Sequence, residues 1–597
     1  MAMRFFAPTG KMMSIFKGKF LLPVALLCST VSACIAQGTW TPLANAAPQY
    51  NQGVMLQLTD GTVLVKTAAG GTAGIGSVWN RLTPDVHGSY INGTWSEVVG
   101  MVDGRLYFSA QVLRNGFVYV AGGEYGTGRT AAEIYSPNDD MWFPTATTID
   151  MGDTLSDANS EILPDGRVLQ AVVVSDATVS HHTYLYDPAT FTFSPGPNTL
   201  GLDNESSWVK MKDNSILFAD IYATTTERYI PATNTWVPDA DLPTDLYDAY
   251  GYETGAAFML PDGRAFFMGS TSKSAYYTPS GTTAPGTWTM GPDIPDSLGA
   301  PDAAAAMMPN GKILCAFSHT PTLDSVFHTR TMYFEFDYLA NVFTPVLTPY
   351  GNDSEEHASY VSNMLVLPDG SILYADQGDD QYFVYKPAGA PLAAGKPAIS
   401  SIYTTTHCDT FIATGTLFNG ISEGAGYGDD WQMATNYPIV RLSRNDSVFY
   451  ASTYNWNSTG IMRGSAPDTT QFVLPAGLQP GTYQLQVIAN GIASNPYTFS
   501  FCDIPAGVGN AAQAVKKVNV YPNPATDQAI VEYTTQHAGE YTISLTDIYG
   551  RKVMTLPRTA TIGSNTTSIP LTGLAKGVYT ITIRDNDDVY TTRVVVK

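Results

Sequence analysis

Seven copies of one turn signature, spread over residues 55 to 376, constrain this chain more than any other feature. They read LTDGTVLVK around Gly61, LRNGFVYVA around Gly116, LPDGRVLQA around Gly166, MKDNSILFA around Asn214, LPDGRAFFM around Gly263, MPNGKILCA around Gly311 and LPDGSILYA around Gly370. Each copy is a short apolar run, an Asp-Gly or Asn-Gly type dipeptide, then a second apolar run. That is a strong hairpin signal, because the turn needs positive φ. Successive turn positions lie 55, 50, 48, 49, 48 and 59 residues apart. A period of this length with short strands in every unit predicts propeller blades, and seven such units can close into a ring.

Each period carries the rest of a blade. A third strand ends in an aromatic shortly before proline: Tyr135 before Pro137, Tyr186 before Pro188, Tyr229 before Pro231, Tyr277 before Pro279 and Tyr385 before Pro387. A fourth strand starts near Trp95, Trp142, Phe193, Trp236, Trp288 or Phe343. Pro and Asn between them supply turn chemistry, and the aromatics are expected to pack blade on blade. The seventh unit stops after its third strand, at Lys386 and Pro387. The orphan segment Gly38-Thr39-Trp40-Thr41-Pro42 is expected to be its fourth strand, which ties the N-terminus into the ring. Abundant Gly and Pro, scarce helical periodicity and 12% aromatics agree with an all-β chain. Its 597 residues suffice for several domains.

Residues 1–36 read as an export address. Arg4, Lys11, Lys17 and Lys19 lead an apolar run from Phe20 to Ala33, and Ala36 before Gln37 suits cleavage of a signal peptide. Val31-Ser32-Ala33-Cys34 also fits a lipoprotein box, with Cys34 lipidated. No other segment is apolar and long enough to cross a bilayer. Cleavage leaves 27 of the 31 basic residues against 53 acidic ones, a balance of −26. Such a surface repels nucleic acid and anionic lipid and suits solubility outside the cell. Of the remaining cysteines, Cys315 lies mid-strand and reads as a small buried hydrophobe. Cys408 and Cys502 lie near the two ends of a separate stretch, where an exported chain permits a disulfide.

That stretch alternates apolar and polar residues at 437–442, 448–452, 470–474, 483–489 and 497–501, the pattern of an immunoglobulin-like β-sandwich. A linker of small residues follows. The last segment, 515–597, predicts a small β-sandwich with strands at 529–534, 540–547, 578–584 and 590–596. It contains Val520-Tyr521-Pro522-Asn523-Pro524, Asp547-Ile548-Tyr549-Gly550-Arg551 and Leu574-Ala575-Lys576-Gly577-Val578-Tyr579, and closes on Arg593-Val594-Val595-Val596-Lys597. In order and over the whole segment these resemble the C-terminal sorting domain of the type IX secretion system. The resemblance implies the secretion machinery as a partner, passage through an outer membrane, and an extracellular or surface-attached product.

The rest resembles the galactose oxidase and glyoxal oxidase group. The kelch double glycine Gly122-Gly123, Tyr427-Gly428-Asp429-Asp430 and the stretch Met433 to Leu442 carry that likeness. It implies a seven-bladed kelch-type propeller over 37–394 and an early-set sandwich over 395–503; the small-residue linker over 504–514 and the sorting domain over 515–597 follow. A shared fold carries no activity by itself. The group's copper site needs a radical tyrosine crosslinked to cysteine, an axial tyrosine and two histidines. By the likeness Tyr107 and Tyr360 match the tyrosines. Gln52 stands near the cysteine's place, Val361 at one histidine's and Tyr454 at the other's. Copper(II) favours imidazole nitrogen, so the donor set argues against copper radical chemistry.

The same register reveals a second pattern. Nine or ten residues before the turn, the third to sixth units carry Asp157, Glu205, Glu253 and Asp302; the second and seventh carry Tyr107 and Tyr360; the first carries Asn51 and Gln52. In a propeller this offset lies at the start of the innermost strand, so all are expected at one mouth of the central channel. Four carboxylates there repel one another unless a cation or donors intervene. The plainest reading is that each accepts backbone N–H bonds and fixes blade geometry. The alternatives are a divalent cation such as Ca²⁺, binding of sugar hydroxyls or another extracellular polymer with the rings as stacking surface, and carboxylate hydrolysis of a glycan. Binding of carbohydrate is the favoured functional reading; an oxidase or hydrolase at the same mouth is its rival. Asp139-Asp140 and Asp376-Gln377-Gly378-Asp379-Asp380 read as solvated turns, and His181-His182 as a solvent-facing strand end.

Overall fold

Backbone chemistry at the seven turns sets the architecture. In the computed structural model all seven turn positions have positive φ, from 65° at Asn214 to 93° at Gly263. In every copy the preceding Asp or Asn side chain accepts a bond from the backbone N–H two residues on. The structure describes residues 37–597 apart from 71–74, 146–152, 156, 174–180, 203–205, 405–409, 428–431, 502–517, 536–537, 548–550 and 585–588. The leader with Cys34, and both Cys408 and Cys502, lie outside the described residues.

Each turn joins the first two strands of a four-stranded antiparallel array. Asn51–Gln57, Val63–Thr67, Trp79–Thr83 and Thr94–Val98 pair in chain order. The pattern repeats in arrays whose first strands are Ser109–Val112, Ser160–Ile162, Val209–Lys210, Thr254–Met259 and Ala305–Met307. The array that begins at Ser362–Val366 takes Thr39–Pro42 as its fourth strand, with Trp40 opposite Tyr385. The sheets are those of propeller and sandwich domains. The recurrent aromatics pair chiefly across strands of one sheet rather than only between sheets. Ring centroids are 5.0 Å apart for Tyr135 and Trp142, 5.4 Å for Tyr229 and Trp236, and 4.6 Å for Trp40 and Tyr385. Contacts between sheets also occur, as between Trp79 and Trp142 at 5.6 Å. Cys315 is buried in the strand Ile313–His319, as expected.

The stretch after 395 forms two sheets that share the long strand Ser447–Tyr454: its first half pairs with Ile439–Arg444 and its last three residues with Asp468–Val473. Phe411, Leu442, Phe472, Leu485 and Phe499 fill the space between them. A hairpin leaves this sandwich. Its strands, Gly424–Gly426 and Gln432–Ala434, pair with each other, and the first adds onto Ala305–Met307. Ala425, Tyr427 and Met433 join the same apolar cluster as Met55, Ala306 and Met364 from first strands.

The four strands expected in the last segment are present. Lys552–Ala560 and Gly563–Pro570 are additional strands. Pro557 argues against a strand by composition, but Lys552–Ala560 is a sheet edge, where proline is tolerated.

Candidate functional site

At the entries to the first strands that begin at Ser109, Ser160, Thr254 and Ala305 the backbone bends the same way. Tyr107 has φ 52°, Asp157 47° and Asp302 46°, and Tyr252 beside Glu253 has 65°. Such values are uncommon for residues with a Cβ and cluster where function or geometry demands them. In the array starting at Asn51 a glycine takes this role, Gly53 at 104°. First strands of neighbouring sheets touch: Asn51–Gln57 meets Ser362–Val366 and Ser109–Val112, and Ala305–Met307 meets Ser362–Val366. Side chains at equal offsets therefore converge.

They converge on a cavity of about 240 Å³. Tyr107, Asp157, Glu253, Asp302 and Tyr360 line it, five residues singled out by register. The three carboxylate residues are 9, 7 and 8% exposed, so they are withdrawn from bulk water yet face this space. Glu205 lies outside the described residues. Gln52 is not part of the lining: its Oε1 accepts from Lys66 Nζ at 3.0 Å and from the Gly76 N–H at 3.1 Å. Burial, and then the charge of Arg105, lower the Lys66 pKa to about 7.

Four lining residues escaped the sequence reading: Glu124, Tyr125, Phe327 and Tyr427. Glu124 and Tyr125 follow the double glycine. Gly122 has φ 79°, and a Cβ there would lie 1.5 Å from the Leu155 carbonyl oxygen, so only glycine allows the chain past. Arg105, fully buried, then holds the loop by donating from Nη1 to the carbonyls of Gly122 at 2.6 Å, Gly128 at 2.7 Å and Ala131 at 2.8 Å. Its Nη2 meets Glu133 at 3.1 Å. The Glu124 N–H bonds the Tyr107 carbonyl at 2.9 Å, which joins the two walls.

Tyr427 comes from the sandwich hairpin. Its ring lies 6.4 Å from that of Tyr107 at 21°. Phe327, on the loop after Ile313–His319, meets Tyr360 edge-on at 4.8 Å. Gln377 ties the two register tyrosines together: its Nε2 donates to the Tyr360 carbonyl at 3.1 Å, and its Oε1 accepts from the Tyr107 hydroxyl at 3.4 Å. Asp376-Gln377 is thus no solvated turn. Asp376 is buried, accepts from the Tyr374 hydroxyl, and lies 3.2 Å from His357 Nε2. Asp139 likewise pairs with Arg593 of the last segment. His182 stays half exposed but meets Asp153 at 2.9 Å.

At its base the hairpin is pinned by charge, since Glu423 directly precedes its first strand. Lys210 Nζ lies 2.5 Å from Glu161 Oε2 and 3.2 Å from Glu423 Oε1, with all three side chains largely buried. Burial and the neighbouring Glu423 push the Glu161 carboxyl well above the usual carboxylate range, against the pull of Lys210.

The donors do not fit a copper radical site. Tyr107 and Tyr360 share the cavity, but Gln52 stands off it and Val361 has no ligand atom. Tyr454 packs near Gly116 at a turn, on the sandwich side, and Tyr427 occupies the wall instead. Among the described residues no three His, Cys, Asp or Glu side chains gather closely enough to hold a metal ion, and no helix is long and apolar enough to cross a membrane.

No curated protein matches the chain. Among solved structures, a fungal alcohol oxidase of the AA5 family in complex with copper is 15% identical with a TM-score of 0.46, over 78% of this chain and all of that one. A streptogramin B lyase is 13% identical with a TM-score of 0.40, over 59% of this chain and 98% of that one. Both likenesses are too weak to speak of activity. Residues 519–597 match the secretion system C-terminal sorting domain family, so the chain carries a type IX sorting tail and is destined for the extracellular or cell-surface space.

Proposed function

We propose that this is a surface-displayed binding protein: a cleaved signal peptide over 1–36, a seven-bladed kelch-type propeller over 37–394, an immunoglobulin-like early-set sandwich over 395–503, a linker and the sorting domain. It binds carbohydrate at the propeller mouth, without copper radical chemistry. One observation carries the reading. Five residues at a common offset from their turns line one cavity, and three of them hold the uncommon backbone conformation needed to do so. Blade geometry can use carboxylates as acceptors of backbone N–H bonds, but it does not call for phenol rings beside them. Carboxylates accept hydroxyl protons and rings cover the apolar face of a sugar, the usual division of labour in a small-molecule pocket. The sorting tail supports the setting, because extracellular polymers are met there.

Calorimetric titration of the secreted chain against an oligosaccharide panel tests this. Binding of at least one oligosaccharide, abolished in the double variant Asp157→Asn, Tyr107→Phe with its melting midpoint retained, is expected. Absence of binding across the panel, or binding untouched by the double variant, overturns the reading.

A further inference from the structure

The cavity's lining narrows the ligand class. Four of its side chains are carboxylates, Glu124, Asp157, Glu253 and Asp302, and no Lys, Arg or His stands among the described residues that line it. The other lining residues are aromatic. Phe327 has no polar atom and offers only a ring, and it is fixed against Tyr360. Tyr107 and Tyr427 stand nearly parallel beside each other. At about 240 Å³ the space is smaller than the roughly 300–1,000 Å³ of pockets for drug-sized ligands, so it suits one ring-sized unit.

A neutral sugar satisfies hydrogen bonds but brings no positive charge to a lining that holds four acids and no base among its described residues. A bare metal ion brings charge but needs ligands gathered within one coordination shell, and the described acids are not so gathered. An organic ammonium meets both conditions. It spreads several N–H donors over a body larger than an ion, forms charge-assisted bonds with dispersed carboxylates, and is attracted to aromatic faces.

Resting on the glycan reading above, we infer that the mouth selects a sugar unit with a free, protonated amino group. Carboxylates hold the ammonium, and Phe327 with the flanking tyrosines covers the ring.

The experiment titrates the secreted chain with three tetramers: β-1,4-linked glucosamine, its N-acetylated counterpart and cellotetraose. The glucosamine tetramer is expected to bind at least tenfold more tightly than the other two. Asp302→Asn and Phe327→Ala should each weaken it at least fivefold; asparagine tolerates the left-handed backbone at 302. Affinities for amino and acetylated tetramers within twofold of each other overturn the amine selection and leave the glycan reading standing. Glucosamine binding that both variants keep at full strength also overturns it, since attraction to the acidic surface at large would then account for the binding. If none of the three binds but a simple diamine does, the glycan reading falls while the ammonium class holds. Should Phe327→Ala fail to fold, Asp302→Asn and the contrast between tetramers decide alone.

Discussion

Lys210→Met is the sharpest probe of how the sandwich builds the mouth. Methionine keeps the length and the apolar stem of lysine while it removes the ammonium that lies between Glu161 and Glu423. Removing one partner of a buried ion pair costs about 3–5 kcal/mol, because charge is left without compensation. The same figure follows from proton linkage. Without Lys210, a carboxylate left in this buried pair must protonate to stay there. Protonating a carboxyl of ordinary pKa ~4.3 at pH 7 costs about 1.36 kcal/mol per unit, or roughly 3.7 kcal/mol. The sign is fixed: a carboxyl whose folded pKa lies above its unfolded value loses stability as pH rises through that window. The deficit of the variant should thus be largest near pH 7 and shrink towards pH 4.5. Urea denaturation followed by tryptophan fluorescence, at several pH values, measures it. Because the hairpin held by this trio carries Tyr427 to the cavity, ligand affinity should fall together with stability. Adding Glu161→Gln and Glu423→Gln to the variant should recover most of the loss. A deficit below about 1 kcal/mol at pH 7, or one independent of pH, would refute the charge-pinning account.

Other expectations are simpler. Tyr427→Ala should weaken oligosaccharide binding at least fivefold in calorimetry; retained affinity would remove the sandwich from the site. Gly122→Ala should destabilise by more than 2 kcal/mol or so, since its Cβ meets the Leu155 carbonyl oxygen and its φ is left-handed; thermal melting checks this. Burial lowers the His357 pKa, but the bond and charge of Asp376 outweigh it and leave the pKa raised. Its contribution is therefore complete below pH ~6.5 and is lost as pH rises through the folded value, so His357→Gln should flatten the decline in stability from pH 6 to 8. Cys315 is buried, with its thiol pKa pushed well up by desolvation. Peptide mapping after brief iodoacetamide treatment should find it unmodified until the protein unfolds.

Much of the fold was legible because turn chemistry is local. A residue with positive φ after an Asp or Asn that caps its own turn states where two strands meet, and seven repetitions state how often. The closing strand was legible too, because Trp40 supplied the aromatic that Tyr385 lacked. The edge strand Lys552–Ala560 was hidden by Pro557, whose cost depends on which side of a sheet it faces. The role of Gln377 was hidden for a related reason: a polar residue in an acidic run looks solvated until two hydrogen-bond partners arrive from 17 and 270 residues away.

The site itself was half legible, and the boundary follows from range. Tyr107, Asp157, Glu253, Asp302 and Tyr360 share an offset from a turn within their own repeat, so one rule found them all. Tyr427 belongs to no repeat. Matching the sandwich by its likeness to the oxidase group pointed to Tyr454, on the turn side, because a match along one sheet cannot say which loop leaves it. A volume argument could have. Gly424-Ala425-Gly426 is a run of small residues, and Asp302 is followed by four alanines, Ala303 to Ala306. Where other arrays begin with bulkier side chains, this one leaves room for a neighbouring backbone. The structure fills that room with the hairpin, Ala305 opposite Gly426 and Ala306 opposite Ala425. Two distant small-residue runs, each poor at packing alone, are together a signal that two backbones approach closely. Substituting Ala306 by leucine should therefore displace the hairpin and empty the Tyr427 wall, with ligand affinity lost before the outer sheets melt. Affinity that survives Ala306→Leu would mean that the hairpin does not shape the mouth.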